Sequence, residues 1–264
     1  MRRAPLTPPS MRDALAWAGL VLMIASGIWL DSLPREEKPI ASLPSQPAEP
    51  FPVVVIDPGH GGQDSGAMCA GMLEKDLTLD VAQRLERRLQ TQGLATVMTR
   101  VGDGYISLAD RAALTNRVPD CVLVSIHFNE GNKPVSSGIE TYYAEHQMSA
   151  GQSVVSWLPF LQRVVEEIPN EESQSLAAFV QEALVSHTHA VNRGTKAQQF
   201  FVLANVRHPA VLVEGGFMTN KEDVAKLTDV GYREEMAAAI GDGIIRYRDL
   251  LKDRHVVRPQ PAAE

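Results

Sequence analysis

The stretch V-V-V-I-D-P-G-H-G-G-Q-D-S-G-A occupies residues 53–67. A β-branched run, Pro52–Ile56, breaks into the turn signal Asp57-Pro58-Gly59, and His60 follows at once. A buried strand that ends by delivering a histidine into a glycine-rich loop predicts an α/β fold. In such folds ligands sit beyond the carboxyl ends of the strands.

The alternation continues downstream. Glu74–Gly93 predicts an amphipathic helix, with Leu77, Val81, Leu85 and Leu89 on one face and Gly93 at its stop. Ala95–Thr99 reads as a strand, Ser107–Asn116 as a helix and Cys121–Ile126 as a fully apolar strand. Gly138–Tyr143 is a further strand and Ser173–His187 a further helix. Phe200–Leu203 and Ala210–Val213 are expected to be strands, and Lys221–Leu251 a final helical stretch. Strands alternating with helices imply a single α/β domain whose mainly parallel sheet is covered on both faces.

Upstream, the character of the chain changes. Arg2, Arg3 and Arg12 precede an apolar run, Ala14 to Leu30, that contains no charge. As a helix it would rise about 25 Å, slightly less than a bilayer's hydrocarbon core. Residues 1–30 are therefore either a cleaved signal peptide or an uncleaved membrane anchor. The anchor is favoured, because cleavage after Gly27 would leave Ile28, Trp29 and Leu30 exposed. Either way the remainder is exported. It would be tethered to the inner membrane on its periplasmic or cell-wall side, or secreted. Residues 31–50 hold five prolines among small and charged residues and read as an extended linker spanning about 25 Å as a coil. The globular domain runs from 51 to 253, and 254–264 is a polar tail.

Composition narrows the options further. The 264 residues are 44% hydrophobic, enough for one sizeable core. A net charge of −7 argues against a nucleic-acid partner. Cys69 and Cys121 are the only cysteines, so no disulfide framework holds the fold, and two unpaired thiols are expected.

Four chemically active groups fall at strand exits or at a helix start. They are His60 after the first strand, His127 after the apolar strand, Glu214 after another, and Glu74 at the first helix. Two neutral imidazoles and a carboxylate, here His60, His127 and Glu74, form a set that catalytic zinc takes while leaving one position for water. Bound zinc lowers the pKa of its water toward about 7 and polarises a scissile carbonyl. Glu214, with open space at Gly215 and Gly216, is the carboxylate left to accept the water's proton. Taken singly, each residue has a plainer reading. A histidine after a strand is usually a loop residue, and a glutamate at a helix start usually serves the helix dipole. Only the combination points to a site.

The motifs D-P-G-H-G-G-Q-D-S-G-A, E-K-D-L-T-L-D-V-A (74–82), L-A-D-R-A-A-L-T-N (108–116), V-S-I-H-F-N (124–129), G-I-E-T-Y-Y (138–143) and V-L-V-E-G-G-F-M-T-N (211–220) occur in one order over nearly the whole domain. Residues from Phe51 to about Leu251 resemble the catalytic domain of the zinc-dependent N-acetylmuramoyl-L-alanine amidases, the amidase_3 family. The resemblance implies a mixed, mainly parallel sheet sandwiched between helices. It also implies hydrolysis of the amide between N-acetylmuramic acid and L-alanine in peptidoglycan. By motif position, His60, Glu74 and His127 match the ligands of one zinc ion, and Glu214 matches the catalytic carboxylate. The other functions weighed are a zinc hydrolase cutting within the stem peptide and a non-catalytic wall-binding regulator.

Several neighbours carry secondary expectations. Asp64 and Ser65 shape the loop after His60. Asn129 either contacts substrate or stabilises its own turn. Arg111 and Asn116 hold a helix against the loops, and Cys69 packs. Ala144–Glu172 is longer than the resemblance suggests, and its apolar positions fit an amphipathic helix. Some members of the resembled family carry there a regulatory helix that a protein activator displaces. By that likeness Glu166 or Glu167 would approach the metal; the alternative is a helix that widens the groove or packs on the surface. Ser186–Gln199, with His187, His189, Arg193 and Lys196, reads as a polar loop or helix end away from the site.

Overall fold

The computed structural model describes residues 50–131, 133–147 and 170–257. The N-terminal apolar run, most of the linker, and the insertion with Glu166 and Glu167 lie outside the described residues. Among the described residues no helix is long and apolar enough to cross a membrane.

One six-stranded sheet organises the domain. Its strands are β1 (Val53–Pro58), β4 (Ala95–Met98), β5 (Cys121–Asn129), β6 (Ile139–Tyr143), β7 (Asn192–Ala197) and β8 (Ala210–Phe217), in the order β4-β1-β5-β8-β6-β7. β4, β1, β5 and β8 are mutually parallel, whereas β6 pairs antiparallel with β8 and carries β7 parallel to itself. The sheet is thus mixed and mainly parallel, as expected. A short hairpin, β2 (Met68–Cys69) and β3 (Met72–Leu73), stands apart from it.

The helices divide unequally between the two faces. α1 (Glu74–Thr91), α3 (Glu171–Thr188) and α6 (Val230–Val257) cover one face. There Leu77, Val81, Leu85 and Leu89 of α1 join Val54, Ile56, Val122, Val124, Ile126, Val211 and Val213 in the larger core. α2 (Leu108–Arg117) and the single turn α4 (Phe201–Ala204) cover only part of the other face, over Val55, Cys121, Leu123 and Leu212. Strand side chains alternate between faces. Continuing the second set toward the strand ends leads to Asp57 on β1, Ser125 and His127 on β5, and Glu214 on β8. All of these therefore lie on the thinly covered face, which α2 reaches at Asp57 through Arg111.

Four expectations differ from the structure. Phe200–Leu203 is not a strand; it starts the helical turn α4, which puts Val202 and Leu203 into the smaller core. A four-residue apolar run has no period that separates strand from helix. The strand of this region is β7, polar and largely exposed because it forms a sheet edge, within the segment read as a loop. The final helical stretch is two helices, α5 (Lys221–Thr228) and α6, broken at Asp229, whose carboxylate accepts from Gly231 N at 2.9 Å. α6 runs on to Val257, past the expected domain end. The cysteines are unpaired: Cys121 is buried and Cys69 packs half-buried against the larger core. Burial pushes the Cys121 thiol up to about 12, so it stays an unreactive thiol.

Candidate active site

His60 leaves β1 in a left-handed conformation (φ 59°), uncommon for a residue with a side chain. Two buried arginines hold it there. Arg111 donates from Nη1 to Pro58 O and from Nη2 to His60 O, both at 2.6 Å, while also pairing with Asp57 Oδ1 at 2.6 Å. Asp57 in turn accepts from Thr99 at 2.6 Å and Ser125 at 2.8 Å. Arg100 donates to Pro58 O at 3.1 Å and Gly59 O at 2.8 Å. The expected bracing by Arg111 is present; Arg100, equally placed, was not singled out from sequence. Asp64 accepts from Gly66 N at 3.2 Å and lies 2.9 Å from His60 Nδ1, which fixes the ring's orientation.

Glu74 begins α1 directly after the hairpin and is 4% exposed. Its Oε2 accepts from Ala67 N at 2.9 Å and its Oε1 from Phe128 N at 3.0 Å. The same Oε1 lies 3.0 Å from His60 Nε2 and 3.1 Å from His127 Nδ1. Burial alone would raise the Glu74 carboxyl. Hydrogen bonds from His127 and His60 outweigh it and hold the group well below the usual carboxylate range. Glycines make room for this convergence. A Cβ on Gly59 would sit 2.3 Å from the His127 ring, and one on Gly66, at φ +63°, would sit 2.5 Å from Glu74 Oε2.

Among the described residues, His60, Glu74 and His127 form a cluster able to hold a metal ion, their ligand atoms all within 4.8 Å of one another. The donors are neutral nitrogen and anionic oxygen, the set that zinc accepts. His60 also has the carboxylate on its second nitrogen that usually supports a metal-binding imidazole.

Glu214 is the register partner of His127 across β5 and β8. Beyond it the ladder slips, three residues of β8 matching two of β5, at Gly215 and Gly216. Such a bulge turns the strand end and re-aims side chains. Glu214 Oε2 is out of solvent and has no hydrogen-bond partner. Burial first, and then the charges of Glu74 and Glu140, push its carboxyl well above the usual range. A carboxylate raised in this way takes up a proton more readily than an exposed one.

On the far side of Glu214 stands Glu140, its register partner across β6 and β8. Glu140 is 3% exposed and fully paired. Its Oε1 accepts from Asn129 Nδ2 at 2.8 Å and Tyr142 OH at 2.7 Å. Its Oε2 accepts from Arg193 Nε at 2.7 Å and from Lys196 Nζ. Burial would raise this carboxyl, but the four donors, Lys196 foremost, bring it down to about 2. One N–H of the Asn129 amide is thus engaged with Glu140. Glu140 escaped sequence reasoning, and Arg193 and Lys196, expected in a polar loop away from the site, instead stand beside it on β7. The available signal was an acidic residue in the middle of the otherwise strand-like G-I-E-T-Y-Y. His187, in the last turn of α3, and His189, at its C-cap, lie outside the cluster, as expected.

A half-covered mixed sheet with a triad able to hold a metal ion and a buried carboxylate at its strand ends fits an α/β enzyme of the hydrolytic kind. Residues 54–246 match the family model described as N-acetylmuramoyl-L-alanine amidase, so the chain belongs to that family. It is 34% identical over 194 residues to the N-acetylmuramoyl-L-alanine amidase LytC of Bacillus subtilis, a match that covers 74% of this chain and 35% of LytC. The crystal structure of an N-acetylmuramoyl-L-alanine amidase from Clostridium difficile 630 superposes with a TM-score of 0.64 at 34% identity, covering 75% of this chain and 97% of that one. The CwlD amidase of Clostridioides difficile, in complex with the GerS lipoprotein, gives a TM-score of 0.64 at 25% identity, with 75% and 98% coverage.

Proposed function

We propose that residues 51–253 hydrolyse the amide bond between N-acetylmuramic acid and L-alanine in peptidoglycan, using one zinc ion held by His60, Glu74 and His127. The observation that carries this reading is the meeting of two imidazole nitrogens on one buried carboxylate oxygen, 3.0 and 3.1 Å away, beside a second carboxylate with an unpartnered oxygen. When bound, zinc would acidify the attacking water and polarise the scissile carbonyl.

The chain's own residues supply the remainder. Glu214 takes the proton of the attacking water on its free Oε2 and returns it to the leaving amine of L-alanine. Its raised pKa favours the first half of that task, acceptance of the proton. Asp64 and the backbone N–H groups of Ala67 and Phe128 hold His60 and Glu74 in place. Arg111 and Arg100 fix the backbone that carries His60. Asn129 commits one amide N–H to bracing Glu140.

The substrate class places the domain outside the cytoplasmic membrane, with the N-terminal apolar run as leader or anchor. By analogy with the CwlD–GerS complex, a protein partner is part of the same proposal. Mass spectrometry of purified peptidoglycan digested with and without a chelator tests it. Intact stem peptides beginning with L-alanine, released only without chelator, are expected. Peptides cut internally would assign the chain to the stem-peptide hydrolases, and no release at all would leave a wall-binding protein.

A further inference from the structure

The group around Glu140 holds more positive charge than Glu140 needs. A buried carboxylate can be satisfied by neutral donors, and Asn129 and Tyr142 already supply two. Arg193 and Lys196 nonetheless both converge on Oε2, leaving two cations against one carboxylate in a chain of net charge −7. Their side chains are 33% and 39% exposed, while Glu140 beneath them is 3% exposed. The anion is sealed below and the cations form the surface.

Their placement is built rather than loose. The Arg193 guanidinium lies 4.8 Å over the ring of Phe217, three residues beyond Glu214 on β8, and the Lys196 ammonium lies 5.7 Å over the ring of Tyr142. Register shifts in the β6–β7 ladder between Ile139 and Thr141, with Gly194 at φ +78°, bring both long side chains over the same carboxylate. Arg193 uses Nε on Glu140, and its Nη2 meets no acceptor among the described residues. Lys196 commits one of its three N–H groups. The unused donors stand one strand away from Glu214, because Glu140 is Glu214's register partner.

We propose that Arg193 and Lys196 form a subsite for a substrate carboxylate, with Glu140 as the buried counter-ion that orients them. The ligand class is a peptide carboxylate near the scissile amide. Guanidinium and ammonium groups held in place beforehand bind such a group through charge-assisted hydrogen bonds and discriminate against its uncharged carboxamide. This inference deepens the amidase reading and rests on it for the identity of the peptide.

The test compares N-acetylmuramoyl-L-alanyl-D-glutamate with the same compound bearing an α-carboxamide, using the zinc-loaded full chain. A preference for the carboxylate of about tenfold or more in kcat/KM, carried mainly by KM, is expected. Arg193→Gln and Lys196→Gln should each shrink that ratio, and Lys196→Arg should retain it, with melting curves confirming folded protein. Equal kcat/KM for the two compounds in the wild type, or an undiminished ratio in both glutamine variants, overturns the subsite. Calorimetry with the dipeptides L-alanyl-D-glutamate and its α-carboxamide separates the two readings. Tighter binding of the carboxylate without turnover of either muramoyl compound keeps the subsite and refutes the amidase activity. Equal binding overturns the subsite whatever the turnover.

Discussion

Glu140 and Glu214 stand directly opposite each other on neighbouring antiparallel strands, and their surroundings drive their proton affinities apart. Two like charges in register normally repel and destabilise a sheet. Here one is bound by four donors and held down to about 2, while the other is buried with an unpartnered oxygen and pushed up. Carboxylates separated in this way take different roles, one as a fixed anion and one as a proton carrier.

Replacing Glu214 tests its proposed proton-carrying role apart from metal binding. Glu214→Gln should lower kcat by about 10²- to 10⁴-fold while the zinc content of the purified protein stays that of the wild type. It should also stabilise the metal-free fold at neutral pH. The folded-state pKa of Glu214 is raised, so above the ordinary carboxylate pKa the native state bears a cost of ionisation that glutamine lacks. Unchanged kcat refutes the assigned role, and a lower melting temperature refutes the electrostatic argument.

Glu140→Gln should act through pH. The charge of Glu140 is one of the influences raising Glu214, so its removal lets the Glu214 pKa fall and moves the acid limb of kcat/KM to lower pH. Stability should respond as well. Glu140 falls from an ordinary value of 4.5 to about 2 on folding, so its contribution is complete above pH 4.5 and lost as pH drops toward 2. The wild type should lose melting temperature across that window more steeply than the variant. Parallel melting curves and a stationary pH profile would count against both claims.

Gly59→Ala should disrupt the metal centre from beneath. The new Cβ would lie 2.3 Å from the His127 ring, closer than any relaxed contact, so the imidazole must leave its place near Glu74. Chelator competition should show zinc affinity reduced by about 10- to 100-fold, the range found when support for metal ligands is removed. Wild-type affinity would mean that His127 is not needed there.

Arg111→Met tests the brace below His60. It leaves Asp57 buried without its cation and should cost about 3–5 kcal/mol of stability, read from chemical denaturation of the metal-free protein. Zinc affinity should fall too, because the left-handed backbone at His60 loses the Nη2 donor. Lost stability with intact zinc affinity would confine Arg111 to the core.

Much of this protein was legible in its sequence because the informative signals were local. The apolar runs before His127 and Glu214, and the turn before His60, depend on neighbours in the chain. Periodicity and turn chemistry therefore identified the strands, their exits and the four groups at them. The leucine face of α1 followed from the same 3.6-residue period. The tertiary structure decided what depends on distant pairing. β7 is polar because it is an edge strand, and polarity without its partner β6 reads as a loop. Phe200–Leu203 is helical because the smaller core needs a cap over β5 and β8, a requirement no four-residue pattern carries. Above all, Glu140 meets Arg193 and Lys196 across more than fifty residues only because β7 lies beside β6. Sequence alone singled out His60, Glu74, His127 and Glu214 as the candidate groups. The pairing of β6 with both β7 and β8 determined which carboxylate is fixed, which is free to carry a proton, and where the cations stand.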